Sequence, residues 1–268
     1  MVTLTETGMR HALRIGCGFL ALALVWAAAP RAMAEAVDLE LILAVDVSGS
    51  IDEVEAGLQR DGYLKAITSR SVVSAITAGR HRKIAVTYVE WAGGHYQRTV
   101  VDWMVIRDLA SAQAFGKKLK TEPIVTAAWT SISGAMDFAI VRFAKNPHKG
   151  TRRVVDISGD GRNNSGGPVA PSRAAVLAKG ITINGLPIIN DRPNPYGRPP
   201  DKDLDKYYKT QVIGGKGAFI VVAEGFEAFA EAIRAKLMRE IAGTNGPTII
   251  RVAKRPAAST VRLARSRD

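Results

Sequence analysis

The sequence predicts an α/β protein with a doubly wound, mostly parallel sheet, one antiparallel strand and helices on both faces. Three observations predict it. Continuous aliphatic runs at 41–45, 154–157, 181–188 and 218–223 have the pattern of strands buried on both faces, as in a parallel sheet covered by helices. Between such runs, apolar residues recur at helical spacing: Ile132, Met136, Ile140 and Phe143, and again Phe226, Phe229, Ile233, Leu237 and Ile241. Strands that alternate with helices imply crossover connections, and therefore parallel strands. The third observation is a pair of strands at 83–91 and 97–103, joined by the short Gly-containing link 92–96. That link permits an antiparallel hairpin.

The remaining elements follow in order. Residues 52–77 should hold a helix, although Gly57 and Gly62 weaken its signal. Residues 105–120 make another. Pro171 suits a helix start and Gly180 its end. The segment 190–203 carries Pro193, Pro195, Pro199 and Pro200 and reads as an irregular loop, either functional or a tolerated insertion.

Both ends stand apart from this pattern. Arg10 and Arg14 precede an apolar run at 15–29, and Ala32 and Ala34 then stand before Glu35. A basic start, a short apolar middle and small residues at the end describe a secretory signal peptide over residues 1–34, and hence an exported protein, periplasmic or extracellular. The alternative is an uncleaved anchor, for which the run falls short of the roughly 20 residues a span needs. Cys17, the single cysteine, lies inside this segment. The mature chain would then have no disulfide, zinc-thiolate site or cysteine nucleophile.

The formal charge is +12. Residues 1–34 contribute +2 and residues 251–268 contribute +5, which leaves +5 on the domain expected over 35–250. The basic tail at 251–268 reads as disordered and solvated, with weak contact to an anionic surface as its other use. Nothing in the pattern suggests sequence-specific binding of nucleic acid.

One constellation carries chemistry. The first buried strand ends in Asp46-Val47-Ser48-Gly49-Ser50, which sets three oxygen ligands in one turn at the carboxyl edge, where open α/β sheets bind their ligands. Strand direction brings other loops to that edge. Strand 83–91 runs parallel to the first and ends there, the antiparallel strand descends, and the following helix climbs back to deliver Thr130. The next helix descends, strand 153–158 ascends, and Asp160 arrives on the same edge. Asp46, Ser48, Ser50, Thr130 and Asp160 form an all-oxygen set suited to a hard cation: Mg²⁺ or Mn²⁺, with Ca²⁺ second to them. Few of these oxygens are charged, so the ion should attract one more anionic oxygen, an Asp or Glu carboxylate from a protein partner. The bland alternative is that the serines cap a helix and Asp160 makes a turn. Discrimination between partners would fall to the rim, where Trp129, His95, Arg192, Tyr196 and Arg198 are placed by the same argument.

These residues carry a resemblance. Asp46-x-Ser48-x-Ser50, Thr130 before Ser131-Ile132-Ser133-Gly134-Ala135, and Asp160-Gly161 after a strand resemble the metal-ion-dependent adhesion site, or MIDAS, of von Willebrand factor type A (VWA) domains. The resemblance spans about residues 38–243. It implies a Rossmann-like sheet, a bound Mg²⁺ or Mn²⁺, and adhesion or scaffolding in place of catalysis. The strings at 158–164, 183–188 and 212–215 resemble a bacterial group of exported single-VWA-domain proteins of undefined function. One departure stands out: VWA domains often approach the threonine through small, Gly-rich residues, whereas here Ala127-Ala128-Trp129 precede Thr130. Trp129 either lines the rim or packs beneath it, and Thr126 is the other candidate ligand. Asp156 reads as a buried group supporting the site or as a structural hydrogen-bond acceptor.

Two other classes compete. A metal-dependent hydrolase would need a base from His81, His95 or His148. The first two fall on the opposite edge and His95 lies in an exposed loop, while no G-x-S-x-G, H-E-x-x-H or P-loop motif occurs. A polyanion-binding protein would act through its tail and depend steeply on salt.

Overall fold

The computed structural model describes residues 34–189, 197, 199–243 and 248–253. Along the chain these form β1 (Ala36–Val37), β2 (Glu40–Asp46), α1 (Glu53–Ile67), α2 (Arg70–Thr77), β3 (Ile84–Trp91), β4 (Gln97–Ile106), α3 (Leu109–Thr121) and α4 (Ile132–Ala144). Then come β5 (Lys149–Gly150), β6 (Arg153–Gly159), α5 (Val169–Ala178), β7 (Thr182–Ile189) and α6 (Leu204–Tyr207), which runs into a π-helical turn (Tyr208–Val212). The chain continues through β8 (Ile220–Glu224), a 3₁₀ turn (Phe226–Ala228), α7 (Phe229–Ala242) and β9 (Ile249–Ala253). The leader expected at 1–34 and the loop residues Arg192, Tyr196 and Arg198 lie outside the described residues, Ala34 excepted.

Among the described residues, seven strands form one sheet in the order β4-β3-β2-β6-β7-β8-β9. Every neighbouring pair is parallel except β3–β4. β1 and β5 make a separate two-stranded parallel ribbon. The aliphatic runs lie where burial on both faces demands them: β2 and β3 are buried at every position. One face of the sheet packs Leu41, Leu43, Val86 and Val221 against Tyr63, Phe115, Phe229 and Leu237 of α1, α3 and α7. The other face packs Ile42, Val155, Ile157 and Ile183 against Met136, Val176 and Tyr208 of α4, α5 and the π turn.

Three differences from the sequence reading have local causes. The helix expected over 52–77 is two helices, because Thr68 and Ser69 turn their hydroxyls onto Leu64 O and Ala66 O, each at 2.7 Å. Ser69 then caps α2 by accepting from Val72 N–H. Such local bonds compete with a continuing helix. Gly62, which weakened that helix signal, serves close packing: a β-carbon there would lie 2.8 Å from the Phe229 ring. Finally, β9 carries the sheet past residue 250, so Arg251, counted with the basic tail, is held in a strand that pairs with β8. Its guanidinium is ion-paired to Asp205 and lies 3.7 Å from Glu224.

The topology sets up the site. From β2 the sheet grows one way through β3 and β4, and from β6 it grows the other way. Chain order thus reverses between β2 and β6, and loops diverge there to leave a crevice at the carboxyl edge. Asp46 ends β2 and Asp160 directly follows β6.

Candidate metal-binding edge

The turn after β2 is built around the Asp46 carboxylate. Its Oδ1 accepts from Ser48 N–H at 2.7 Å, and Gln59 of α1 donates to its backbone carbonyl at 3.2 Å. The Ser48 and Ser50 hydroxyls are 3.0 Å apart, and Ser50 Oγ donates to Asp160 Oδ1 at 2.7 Å. A continuous chain of polar groups therefore runs from Asp46 through both serines to Asp160. Asp52 closes the turn as the N-cap of α1 in a capping box with Glu55. The cap of α1 is thus Asp52, which leaves Ser48 and Ser50 turned toward Asp160.

The electrostatics at this edge are unbalanced. Asp46 is fully buried, and its Oδ2 has no hydrogen-bond partner among the described residues. Burial pushes the Asp46 carboxyl well above the usual carboxylate range, and the charge of Asp160 pushes it further. Burial also raises Asp160. Among the described residues no Lys or Arg pairs with either carboxylate. Two acids held together by neutral donors lack a positive charge. Among the described residues no cluster of three or more His, Cys, Asp or Glu could hold a metal. Two carboxylates completed by hydroxyls would suit a hard cation instead.

The loop before α4 supplies Thr130. It threads between the ends of β2 and β3: Ala127 N–H donates to Val47 O at 3.0 Å, and Ser131 N–H donates to Ala92 O at 2.7 Å. Ser131 Oγ then caps α4 by accepting from Gly134 N–H. Thr130 is 4% exposed, and its Oγ1 lies 3.7 Å from where a β-carbon on Gly161 would stand, beside Asp160. Thr126 is exposed, four residues farther back. Trp129 is 60% exposed and has φ of 69°, a left-handed conformation costly for a bulky residue. It therefore stands at the rim and does not pack beneath it. Its Cβ would be 3.3 Å from a β-carbon on Gly93, so the 92–96 turn that carries His95 borders it. His95 is exposed.

Several positioning residues carried little sequence signal. Asn164 Oδ1 accepts from Thr130 N–H at 2.8 Å, and Asn164 N–H donates back to Thr130 O at 2.9 Å. Asn163 Oδ1 accepts from Ser133 N–H at 3.1 Å. The paired asparagines after Asp160-Gly161 were the available hint. On the other side, the buried Arg60 of α1 donates to Glu90 at 2.9 Å and to Pro123 O at 2.9 Å, and so pins the start of the threonine loop. Asp156 does not support this site. Side chains alternate along β6, and Asp156 points to the opposite face, where Lys236 Nζ lies 2.7 Å away. His81 and His148 sit just before β3 and β5, at the other edge.

A doubly wound sheet with a D-x-S-x-S turn at its switch point places the chain among proteins with the VWA fold. Proximal thread matrix protein 1 from the mussel byssus, solved with a zinc-occupied MIDAS motif, has a TM-score of 0.58 at 15% identity, over 78% of this chain and 49% of that one. A von Willebrand factor type A protein from Catenulispora acidiphila gives 0.54 at 15% identity, over 77% and 43%. The pilus adhesin SpaC of Lactobacillus rhamnosus GG gives 0.55 at 13% identity, over 76% and 31%. This chain thus spans half or less of each of those proteins. No curated protein matches it. The chain belongs to the DUF1194 family, described as a protein of unknown function, which matches residues 36–245.

Proposed function

We propose that this chain is an exported protein-binding module that holds a divalent cation, Mg²⁺ or Mn²⁺ ahead of Ca²⁺, and uses it to capture a partner's Asp or Glu carboxylate. Asp46, Ser48, Ser50, Thr130 and Asp160 would hold the ion. One observation carries the reading: the buried Asp46 and the half-buried Asp160 share a hydroxyl chain, and no described cationic side chain balances them. The bound ion would supply that charge and an open position for an anionic oxygen. Binding, and not catalysis, fits the groups at this edge, where His95 is the one histidine among the described residues and lies in a turn at the rim. Trp129 and the 92–96 turn would meet the partner, together with Arg192, Tyr196 and Arg198. Among the described residues no helix is long and apolar enough to cross a membrane, and export rests on the features of residues 1–34.

The test is thermal unfolding with and without metal. An ion that binds only the folded state adds about 2.7 kcal/mol at a hundredfold excess over its Kd, a Tm rise on the order of 5–10 °C for a domain of this size. Asp46→Ala and Asp160→Ala should each abolish the rise. Thr130→Ala should weaken it and Thr126→Ala should leave it intact. An unchanged metal response in both aspartate variants would overturn the site, and the reverse order of the threonine variants would move the ligand. Shortening residues 191–200 should remove partner capture while the metal response stays.

A further inference from the structure

The π turn after α6 brings a second orphaned polar group to this edge. Tyr208 opens that turn and its ring is wholly buried on the sheet face that also carries Asp46. The ring is fixed in place. A β-carbon on Gly185 would lie 2.7 Å from Tyr208 Cδ1, and Ile213 N–H donates to Tyr208 O at 3.0 Å. Gly214 then anchors the turn to β7 through reciprocal backbone bonds with Ile183 at 2.8 and 3.1 Å.

The Tyr208 hydroxyl has no hydrogen-bond partner among the described residues, and neither has Asp46 Oδ2. The two converge on one space. A β-carbon on Gly159 would stand 2.7 Å from Asp46 Oδ2 and 3.1 Å from the Tyr208 hydroxyl. Glycine at 159 therefore keeps open the gap between a donor and an acceptor. Burial holds the phenol protonated well above its ordinary range, and the charges of Asp46 and Asp160 reinforce it. A buried donor beside a buried acceptor, both unsatisfied, is a costly arrangement that a hydrogen bond between them would relieve. A π turn that delivers such a group is a feature found often at functional sites.

We propose that Tyr208 is a positioning residue for the metal site: with a cation bound, its hydroxyl donates to Asp46 Oδ2 and holds the carboxylate whose Oδ1 already accepts from the Ser48 amide. This rests on the metal reading above. Partners behind a ligand fix its orientation, and their loss costs about 10- to 100-fold in metal affinity.

The experiment uses the full chain, MgCl₂ and MnCl₂ as probes, and the single-atom change Tyr208→Phe. Calorimetric titration should show a Kd at least about tenfold weaker in the variant. Its metal-free Tm should equal or exceed that of the parent, because the lost hydroxyl had no partner. A purely structural tyrosine would give the opposite pattern, a lower metal-free Tm with an unchanged Kd. A second measurement needs no variant to fold: with ¹³Cζ-labelled tyrosine, the Tyr208 resonance in the wild-type chain should move on saturation with Mg²⁺. A variant Kd within twofold of the parent, or a resonance that stays put while metal binds, overturns the assignment and leaves the metal site standing. No metal response in the wild type overturns the metal reading, and this one with it.

Discussion

Asp156 and Asp160 lie four residues apart, within β6 and just past its end, and burial raises both from the ordinary carboxylate range. Their surroundings differ. Asp156 faces α7, where Lys236 Nζ is 2.7 Å from it and 2.5 Å from Glu240. Asn184 also donates to Glu240 at 3.0 Å, and its own Oδ1 accepts from Phe219 N–H. That cluster, fully buried, carries its own cation. Asp160 instead shares Ser50 and the edge with Asp46, and every donor there is a neutral hydroxyl or amide. Where charge is sealed inside, the chain provides the lysine, because an uncompensated buried carboxylate is strongly destabilising. At the crevice it provides none. Carboxylates raised by burial and left without a cationic partner are what the proposed metal site would need.

Breaking the sealed cluster should have the largest effect. Lys236→Met leaves Asp156 and Glu240 together without a cation and should cost about 3–5 kcal/mol, read from the urea midpoint. Adding Asp156→Asn and Glu240→Gln should recover most of that loss. A Lys236→Met protein as stable as the parent would show that α7 does not depend on the ion cluster.

At the crevice the sign should reverse. Asp46→Asn removes one of two like charges, so the metal-free protein should be unchanged or up to about 1 kcal/mol more stable. The same change should erase the increment of about 2.7 kcal/mol that a hundredfold excess of Mg²⁺ over Kd gives the parent. A clear loss of metal-free stability would mean that the two clusters do not differ in kind.

Proton uptake sharpens the contrast further. Asp156 is raised to about 7 from an ordinary 3.8, by burial first and by Glu240 as well, with Lys236 opposing. Two carboxylates around one lysine carry one negative charge too many, and a proton removes it. The folded state thus holds more protons than the unfolded chain between these values. This contribution to stability is fully present below about pH 3.8 and is lost as pH rises through about 7, with a slope of at most about 1.4 kcal/mol per unit. Asp156→Asn should flatten the unfolding free energy across that window. An unchanged pH profile would assign the proton elsewhere.

The smallest effect concerns the rim. Trp129→Gly relieves a left-handed backbone and should raise stability by about 1 kcal/mol without altering the metal-induced rise in Tm. A lower Tm would show that the indole contributes packing despite its exposure.

The main strands and most helices were legible because burial on two faces writes itself as an unbroken aliphatic run, and burial on one face writes itself at helical spacing. Strand direction then placed the loops at 46–50, 127–131 and 159–161 on one edge, and the structure brings these loops together. The break at Thr68–Ser69 was missed because side-chain bonds to the preceding turn leave no mark on hydrophobic periodicity. α6 and its π turn follow directly on the proline-rich segment, and four to five residues are too short for a periodic signal. β9 is only partly buried, so Arg251 read as part of a charged tail when it is a paired strand residue.

Alternation along the chain was enough to predict a doubly wound sheet, and strand direction then sufficed to propose the oxygen ligands at its crevice. Which polar groups stand behind those ligands depended on contacts between distant segments. Asn164 reaches Thr130 across 34 positions, and Tyr208 reaches the space beside Asp46 only because Gly159 leaves it open. No local pattern encodes such pairings. They exist because folding removes water from these groups, and each must then find in the protein, or in a bound ion, what water had supplied.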